Sequence, residues 1–205
     1  MTDERSRQMQ DAAARIEDWR AQLPAQLSWT DEDRLVLRGR SASSTQAFRF
    51  TITPAEPLED PDRWIMVIAQ LRTRFYFIRS WIFQPYIYQA LHLPEEVKRE
   101  SGDEIARCLQ DMLLAPIAMY PCRIQKRLVP DLFSRSSNFL NSLLILKLLP
   151  ESEILNAIAQ AHLDENEYRE SIRMYLHWLN DMKAIDSIAA WSWEVLPRLF
   201  PEYDS

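Results

Sequence analysis

The chain has 205 residues, 47% apolar and 26% charged, with seven Trp, seven Tyr and eight Phe, which fits a folded domain and excludes a disordered tail. The net charge of −6 argues against direct nucleic-acid binding by this chain alone, because most of the affinity for nucleic acid comes from Lys and Arg side chains that neutralise phosphates. There are two glycines, Gly39 and Gly102, which excludes Rossmann turns and phosphate-binding loops, since both need glycine beside the ligand.

The first predicted element is an amphipathic helix over residues 3–22. Ile16, Trp19 and Leu23 recur there at intervals of three and four residues, as on one face of a helix. Residues 39–61 are rich in serine and proline and predict a loop-rich segment with room for one short strand.

A central helix is predicted from Asp62 onward. Apolar residues recur at intervals of three and four, the pattern of a helix buried along one face. The predicted stripe consists of Trp64, Ile68, Leu71, Phe75, Ile78 and Ile82. Pro85 predicts a kink or the end of this helix, because proline removes a backbone hydrogen bond.

Prolines and Gly102 set the boundaries of the further predicted helices. The predicted spans are 94–116 with a weak point at Gly102, 124–149 with a kink or division at Pro130, 154–162, 165–184 and 187–200. Asp164 and Asp186 are expected N-caps for the last two helices, because a side-chain carboxylate can accept from the first free amides.

These patterns predict an all-α fold, an irregular multi-helix array with a loop-rich segment near residues 39–61. Residues 1–61 form an N-terminal helix and loop-rich lead-in, and residues 62–205 form a helical domain. The two could also make one continuous domain.

The residues that catalysis requires do not form a recognisable constellation. His177 and Asp181 have the spacing of two metal ligands on one helix face, but two ligands are not a site, and a hydrogen bond on the helix surface is the favoured interpretation. His92 and His162 stand near predicted helix ends, where they can bond free carbonyls. No G-x-S-x-G motif and no Asp-rich helix motif occurs. We therefore expect no enzyme, no metal and no cofactor.

The cysteines and the apolar runs indicate an intracellular protein. Cys108 and Cys122 fit two reduced, half-buried thiols better than a disulfide framework or a zinc site. The N-terminus is charged, and no apolar run approaches the roughly 18–20 residues that a membrane span needs. We expect no membrane contact.

Two basic groups are candidates for binding an anion or an acidic partner. The first lies on the predicted central helix and consists of Arg72, Arg74 and Arg79. The second consists of Arg123, Lys126 and Arg127. The favoured interpretation is that these side chains pair with the surplus of acidic residues and bury their stems.

Several blocks of sequence, in this order, resemble the regulatory region of fungal binuclear zinc cluster transcription factors. The blocks are LRTRFYFIR (71–79), QPYIYQALH (84–92), KRLVPDLF (126–133) with NFL (138–140), and WLNDMK (178–183) with IAAWSW (188–193), preceded by LP (23–24) and LSW (27–29). The resemblance covers most of the chain. It implies a helical regulatory domain located in the nucleus.

The chain departs from that family in two places. The closely spaced cysteines of the DNA-reading zinc cluster are missing, so the resemblance implies no direct DNA binding by this chain. Gln84 stands where the family more often has arginine before proline.

The resulting hypothesis is a transcription-regulatory domain that acts by protein–protein contact, as a shortened zinc cluster factor that controls a metabolic gene set, such as one for secondary metabolism. A protein partner or self-association is expected, because the aromatic stripe from Trp64 to Tyr88 is unusually wide. One alternative is a helical enzyme or small-molecule-binding protein with an aromatic pocket, and another is a scaffold or assembly protein. The sequence does not specify an effector ligand.

Overall fold

The part of the chain that the structure describes is mostly helical. The computed structural model describes residues 3–32, 60–97, 101–124 and 132–201, and no strand occurs in these ranges. The α-helices are α1 (Asp3–Ala21), α2 (Asp60–His92), α3 (Gly102–Ala118), α4 (Tyr120–Ile124), α5 (Leu132–Leu148), α6 (Glu153–His162), α7 (Glu165–Met182) and α8 (Ser187–Leu199). The predicted all-α class is confirmed. The predicted loop-rich segment lies outside the described residues, apart from residues 60 and 61.

Helices α2 and α3 make the most extensive contact and form the centre of the core. Two small polar residues of α2, Thr73 and Ser80, are buried. Their hydroxyls donate to the carbonyls of Ala69 (2.7 Å) and Phe77 (2.9 Å) in the same helix, so neither is left unpaired. The Cys108 thiol of α3 donates to the Ser80 carbonyl at 3.2 Å. Small side chains let the α2 and α3 backbones approach closely.

The buried face of α2 differs from the predicted stripe. Phe75 is buried, but Trp64 and Ile78 are 41% and 44% exposed. The fully buried row is Met66, Ala69, Thr73, Tyr76, Ser80, Phe83, Ile87 and Ala90. The prediction was wrong because the row that faces α3 contains two polar residues, Thr73 and Ser80. A pattern of apolar residues alone does not include them, so it does not detect this row.

Helix α2 does not end at Pro85 but continues through it to His92. Beyond the proline, Tyr86, Ile87 and Ala90 are buried. Burial of a large apolar side chain stabilises the fold by about 1.5–3 kcal/mol. Burial of these side chains together therefore offsets the cost of about 3 kcal/mol for a proline in a helix interior.

The helix predicted over 94–116 is shorter at its start and longer at its end. Pro94–Glu96 is a separate 3-10 turn, and α3 begins at Gly102, so this glycine is the first residue of the helix and not a weak point within it. Pro116 lies inside α3, which runs on to Ala118. The prediction that the helix ends at Pro116 was wrong, because a side chain of another helix supplies the hydrogen bond that the proline cannot donate.

That hydrogen bond comes from Tyr175 of α7. Pro116 has no N–H to give to the Met112 carbonyl four residues earlier, and the buried Tyr175 hydroxyl donates to this carbonyl at 2.5 Å. The same arrangement recurs at the end of α5, where Pro150 cannot donate to the Leu146 carbonyl and the Tyr168 hydroxyl does so at 3.1 Å. Two tyrosines of α7 thus complete the backbone bonding of two neighbouring helices.

The remaining helices surround this centre. Helix α7 packs on α3, α5 and α8, and α1 packs on α2. Phe139 of α5 joins three elements, since its ring centroid lies 5.9 Å from that of Phe77, 5.2 Å from Tyr175 and 6.3 Å from Trp178. The aromatic core therefore extends from α2 through α5 to α7.

Helix starts in the C-terminal part agree with the sequence. Asp164 accepts from the Glu167 amide and Asp186 from the Ala189 amide, both at 2.8 Å, which confirms the two predicted N-caps. Of the helix predicted over 124–149, the structure describes Ile124, the last residue of α4, and α5 from Leu132 to Leu148, and residues 125–131 lie outside the described ranges. Pro130 lies outside the described residues.

Candidate protein-interaction surface

One face of α2 carries large apolar side chains that the other described helices leave exposed. Trp64 is 41% exposed, Ile78 44%, Trp81 46% and Tyr88 63%. With their neighbours at the same spacing they form a row, called here the α2 row: Trp64, Val67, Leu71, Arg74, Ile78, Trp81, Pro85 and Tyr88. The intervals are three and four in strict alternation, the heptad spacing of a helix that pairs with another helix.

The α2 row lies between two sides of α2 that other helices contact. On one side α1 approaches: the Ser6 hydroxyl is 2.6 Å from the Tyr86 hydroxyl. On the other side α5 approaches: the Gln84 amide donates to Asn141 at 3.3 Å. The row is the remaining side of the helix, so its exposure follows from where α1 and α5 pack.

A shallow groove borders the row beside α5. Its volume is about 170 Å³, and it is lined by Arg74, Phe77, Ile78, Trp81, Ser134, Arg135 and Asn138. Arg74 is therefore the one member of the predicted basic group on α2 that lies at this surface. A groove of that size admits a single side chain and not a whole ligand.

Arg79, by contrast, is buried and bonded to α3. Its Nε and Nη2 donate to the two carboxylate oxygens of Asp111 at 2.8 and 2.6 Å, and Nη1 donates to Glu17 of α1. A planar guanidinium and a carboxylate match in this two-bond geometry. Arg79 thus links α1, α2 and α3 and is held away from any partner.

The N-terminal segment extends this network. Arg20 bonds both Glu17 (2.9 Å) and Asp31 (2.8 Å), and Asp31 also accepts from the Tyr76 hydroxyl at 2.9 Å. The Phe75 ring lies beneath two of the cations, with guanidinium carbons 4.8 and 4.7 Å from its centroid. The network fastens α1 and the segment after it to the central helix.

Burial sets the protonation behaviour of the network. It raises the pKa of the Asp111 carboxyl to about 7, against the opposing effect of Arg79. Burial also disfavours the charged Arg79 guanidinium, but its bonds to Asp111 and Glu17 outweigh burial and raise its pKa. Burial raises the pKa of Tyr76 to about 12. The arginine stays charged and the phenol neutral over the physiological range.

The third arginine of α2, Arg72, is also buried, and its Nη2 donates to the Tyr76 hydroxyl at 3.3 Å. The structure thus separates the members of the predicted basic group on α2. Arg72 and Arg79 lie in the interior, and Arg74 lies on the α2 row. The two interior side chains correspond to the interpretation in which arginines pair with other polar groups and bury their stems.

The second predicted basic group is only partly described. Arg123 of α4 donates through Nε to Asp181 of α7 at 2.5 Å, beside a crevice of about 180 Å³ that His177 also lines. Asp181 thus pairs with Arg123 of another helix, whereas the sequence analysis favoured a hydrogen bond with His177 on the same helix. Lys126 and Arg127 lie outside the described residues.

The described side chains show no further cluster with evident chemistry. No group of three or more His, Cys, Asp or Glu in the described ranges could hold a metal ion. Cys108 and Cys122 are free and fully buried, not half-buried as predicted, and burial raises the pKa of Cys122 to about 12. Of the helices described here, none is long and apolar enough to cross a membrane.

The sequence predicted a contact role for the aromatic stripe from Trp64 to Tyr88 but did not separate the exposed α2 row from the buried row of the same helix. It placed Trp64, Leu71 and Ile78 in a buried stripe, because large apolar residues occupy almost every side of α2. The spacing of the α2 row could have indicated it. Residues from Trp64 to Tyr88 recur at intervals of three and four as regularly as those of the buried row, so α2 has two separate faces that can each pack against another helix.

Comparison of the chain with protein-family models, with curated proteins and with solved structures finds no match.

Proposed function

We propose that this chain is a transcription-regulatory domain, of the kind found in zinc cluster factors, that acts in the nucleus through contacts with other proteins and takes part in the control of a metabolic gene set. The order of the sequence blocks in the resemblance supports the regulatory role. The single observation that carries the contact-based mechanism is the α2 row, with Trp81 46% and Tyr88 63% exposed on the longest helix.

An exposed apolar row is costly for a protein to retain without a partner. Each large apolar side chain gains about 1.5–3 kcal/mol when it is removed from water, and contiguous exposed apolar surface marks interaction sites. Trp and Tyr are also the side chains that most often dominate binding energy at interfaces. The α2 row therefore has the composition of a contact surface.

The charges support contact with protein in preference to nucleic acid. The net charge is −6, and the buried Arg79 and the half-buried Arg123 are committed to Asp111 and Asp181. Phosphate binding requires several cations at one accessible surface. Among the described candidates Arg74 alone lies on the α2 row, which is too little charge to hold a duplex.

A reporter experiment tests the proposal. The full chain is fused to a heterologous DNA-binding domain, and output from a reporter carrying its operator is compared with output from the DNA-binding domain alone. The proposal predicts at least a several-fold change in either direction. It also predicts that Trp81→Lys removes the change, because a charge in place of an exposed aromatic side chain of the row blocks apolar contact.

Trp191→Lys is the matched control, since Trp191 of α8 is 56% exposed and lies outside the row. It should leave the reporter response intact. Output equal to that of the DNA-binding domain alone, with the fusion present at an equal level in the nucleus, would contradict the proposed function.

A further inference from the structure

We infer that a groove between α6 and α7, called here the α6–α7 groove, binds a short segment of a partner protein in which a large apolar residue stands next to Lys or Arg. The groove lies on the C-terminal helices and not on the α2 row. The inference therefore goes beyond the proposed function, and either surface can fail its own test without the other.

The α6–α7 groove is large enough to admit several side chains of a partner. Its volume is about 470 Å³, against about 170 Å³ for the groove beside α5 and about 180 Å³ for the crevice beside Arg123. Sites that bind ligands measure about 300–1,000 Å³. The lining comes from the turn after α5, from α6 and from the start of α7.

The floor of the groove is apolar and is held in place by the core. Leu149 is buried, and Ala159 and Leu163 are partly buried and pack against the core. Tyr168 also lines the groove, and its hydroxyl is fixed by the bond to the Leu146 carbonyl. A large apolar side chain that enters the groove therefore leaves water for an apolar surface that is already formed.

The charge around the groove is negative and fits a cationic occupant. Residues 149–168 contain no lysine or arginine and five acidic residues, namely Glu151, Glu153, Asp164, Glu165 and Glu167. Asp164 and Glu165 line the groove itself. The ion pair of Glu165 with Arg169 is exposed, and such pairs contribute little, so it can yield to a competing cation. Charge complementarity thus favours Lys or Arg in the partner and disfavours phosphate groups.

Two amide side chains of α6 suit the backbone of a bound segment. Asn156 and Gln160 lie one turn apart in the lining, and the Gln160 amide donates to the Asn156 side-chain oxygen at 3.3 Å. Among the described residues these two side chains make no other hydrogen bond, which leaves the Asn156 amide to donate and the Gln160 oxygen to accept. A small free cation would leave the apolar floor uncovered, so a protein segment is the occupant that fits.

Peptide selection on the full chain tests the inference. A phage library of random short peptides is panned against the wild-type chain, and a recovered peptide is synthesised for measurement of its dissociation constant by fluorescence anisotropy. We expect the recovered peptides to share a large apolar residue next to Lys or Arg. Acidic peptides, or no enrichment over the starting library, would overturn the inference.

Two substitutions at one exposed position of the groove test the charge preference. Gln160→Lys places a cation there and should weaken peptide binding about threefold or more. Gln160→Glu adds an anion, so binding should persist or tighten. All three residues favour helix, so α6 should be kept in both variants. Equal weakening in both variants would show that charge has no role, and unchanged binding in both would place the peptide elsewhere; either result overturns the inference.

A double substitution removes the two charges that line the groove. Asp164→Asn with Glu165→Gln should weaken peptide binding about fivefold or more, and asparagine retains the N-cap of α7. Asp11→Asn with Asp18→Asn, at two exposed positions of α1, is the matched control, because it changes the net charge equally. Equal losses in the two double variants would assign the effect to overall charge and overturn the inference. Circular dichroism and urea unfolding check that each variant folds.

Spermidine is the probe for a free cation as the occupant. It should displace the peptide only weakly, because it has no large apolar side chain for the floor. Spermidine that binds in the groove as tightly as the peptide would overturn the assignment to a protein segment. Trp81→Lys should leave peptide binding unchanged, since Trp81 lies on the α2 row. Peptide binding with a silent reporter would refute the proposed function and keep this inference, and the reverse pair of results would do the opposite.

Discussion

The Tyr175 hydroxyl of α7 donates to the Met112 carbonyl of α3 at 2.5 Å, and this is the carbonyl that Pro116 leaves without its helical donor. Both groups are buried. A buried carbonyl without a partner costs about 1–3 kcal/mol, so the tyrosine is what allows a proline in the interior of α3. Side-chain bonding between helices thus replaces a backbone bond within one.

This relationship predicts a specific coupling between the two side chains. Tyr175→Phe should lower the free energy of unfolding by about 1–3 kcal/mol, because the Met112 carbonyl is left unpaired. In a Pro116→Ala background the restored amide can bond that carbonyl, so the same substitution should cost at least about 1 kcal/mol less. Urea unfolding of the four proteins gives the coupling energy, and equal costs in both backgrounds would show that the bond has no such role.

The buried ion pair between Arg79 and Asp111 is expected to be the most sensitive charged site of the fold. Asp111→Ala should destabilise the chain by about 3–5 kcal/mol, because it leaves a buried guanidinium with incomplete pairing. The exposed pair of Arg169 and Glu165 on α7 is the control, and Arg169→Gln should cost less than about 1 kcal/mol. Similar losses in chemical denaturation for the two variants would contradict the described burial.

The two thiols are expected to be unreactive in the native protein. Cys108 and Cys122 are fully buried, and burial raises the pKa of both above the ordinary value, so almost no thiolate forms at neutral pH. Ellman's reagent should therefore label neither thiol in buffer at pH 7.5 and both in denaturant. Rapid labelling of either residue before unfolding would be the opposite result.

His177 is expected to contribute one identifiable part of the dependence of stability on pH. Burial lowers the pKa of its ring, and the Arg123 charge lowers it further. The folded state then binds fewer protons than the unfolded state, so stability rises with pH through this window and is lost as pH falls from about 6.5 through the folded pKa. His177→Gln should remove that part of the pH dependence.

The measurement for His177 is the urea midpoint between about pH 5 and pH 7 for both proteins, together with the ring pKa from NMR titration. Burial also raises the carboxyl pKa of Asp181 and that of Asp111, the latter to about 7, and both contribute to the pH dependence with the opposite sign. Comparing the variant with the wild-type chain isolates the histidine. A ring pKa above 6.5 would contradict the prediction.

Local signals were enough to predict much of the helical map. Asp164 and Asp186 cap their helices as expected, since capping depends on residues within one turn. The all-α class followed from apolar spacing along the chain. The boundaries at Pro85 and Pro116 could not be predicted in this way, because contacts with residues distant in sequence decide whether a helix continues through proline.

The candidate surface was only partly predictable. The aromatic richness of α2 indicated a contact role, but both faces of the helix are apolar, and the choice between them depends on where α1, α3 and α5 pack. The fate of Arg79 shows the same limit: the surplus of acidic residues predicted pairing, but only the fold brings Asp111 to it from α3.

Site-specific photo-crosslinking in living cells tests the central claim most directly, that this protein acts by contact through the α2 row. A photoreactive phenylalanine replaces Trp81, which is 46% exposed, in one protein and Trp191, which is 56% exposed, in another. We expect adducts from position 81, identified by mass spectrometry as a second copy of the chain or a component of the transcription machinery, and few or none from position 191. Adducts from position 191 with none from position 81 would contradict it.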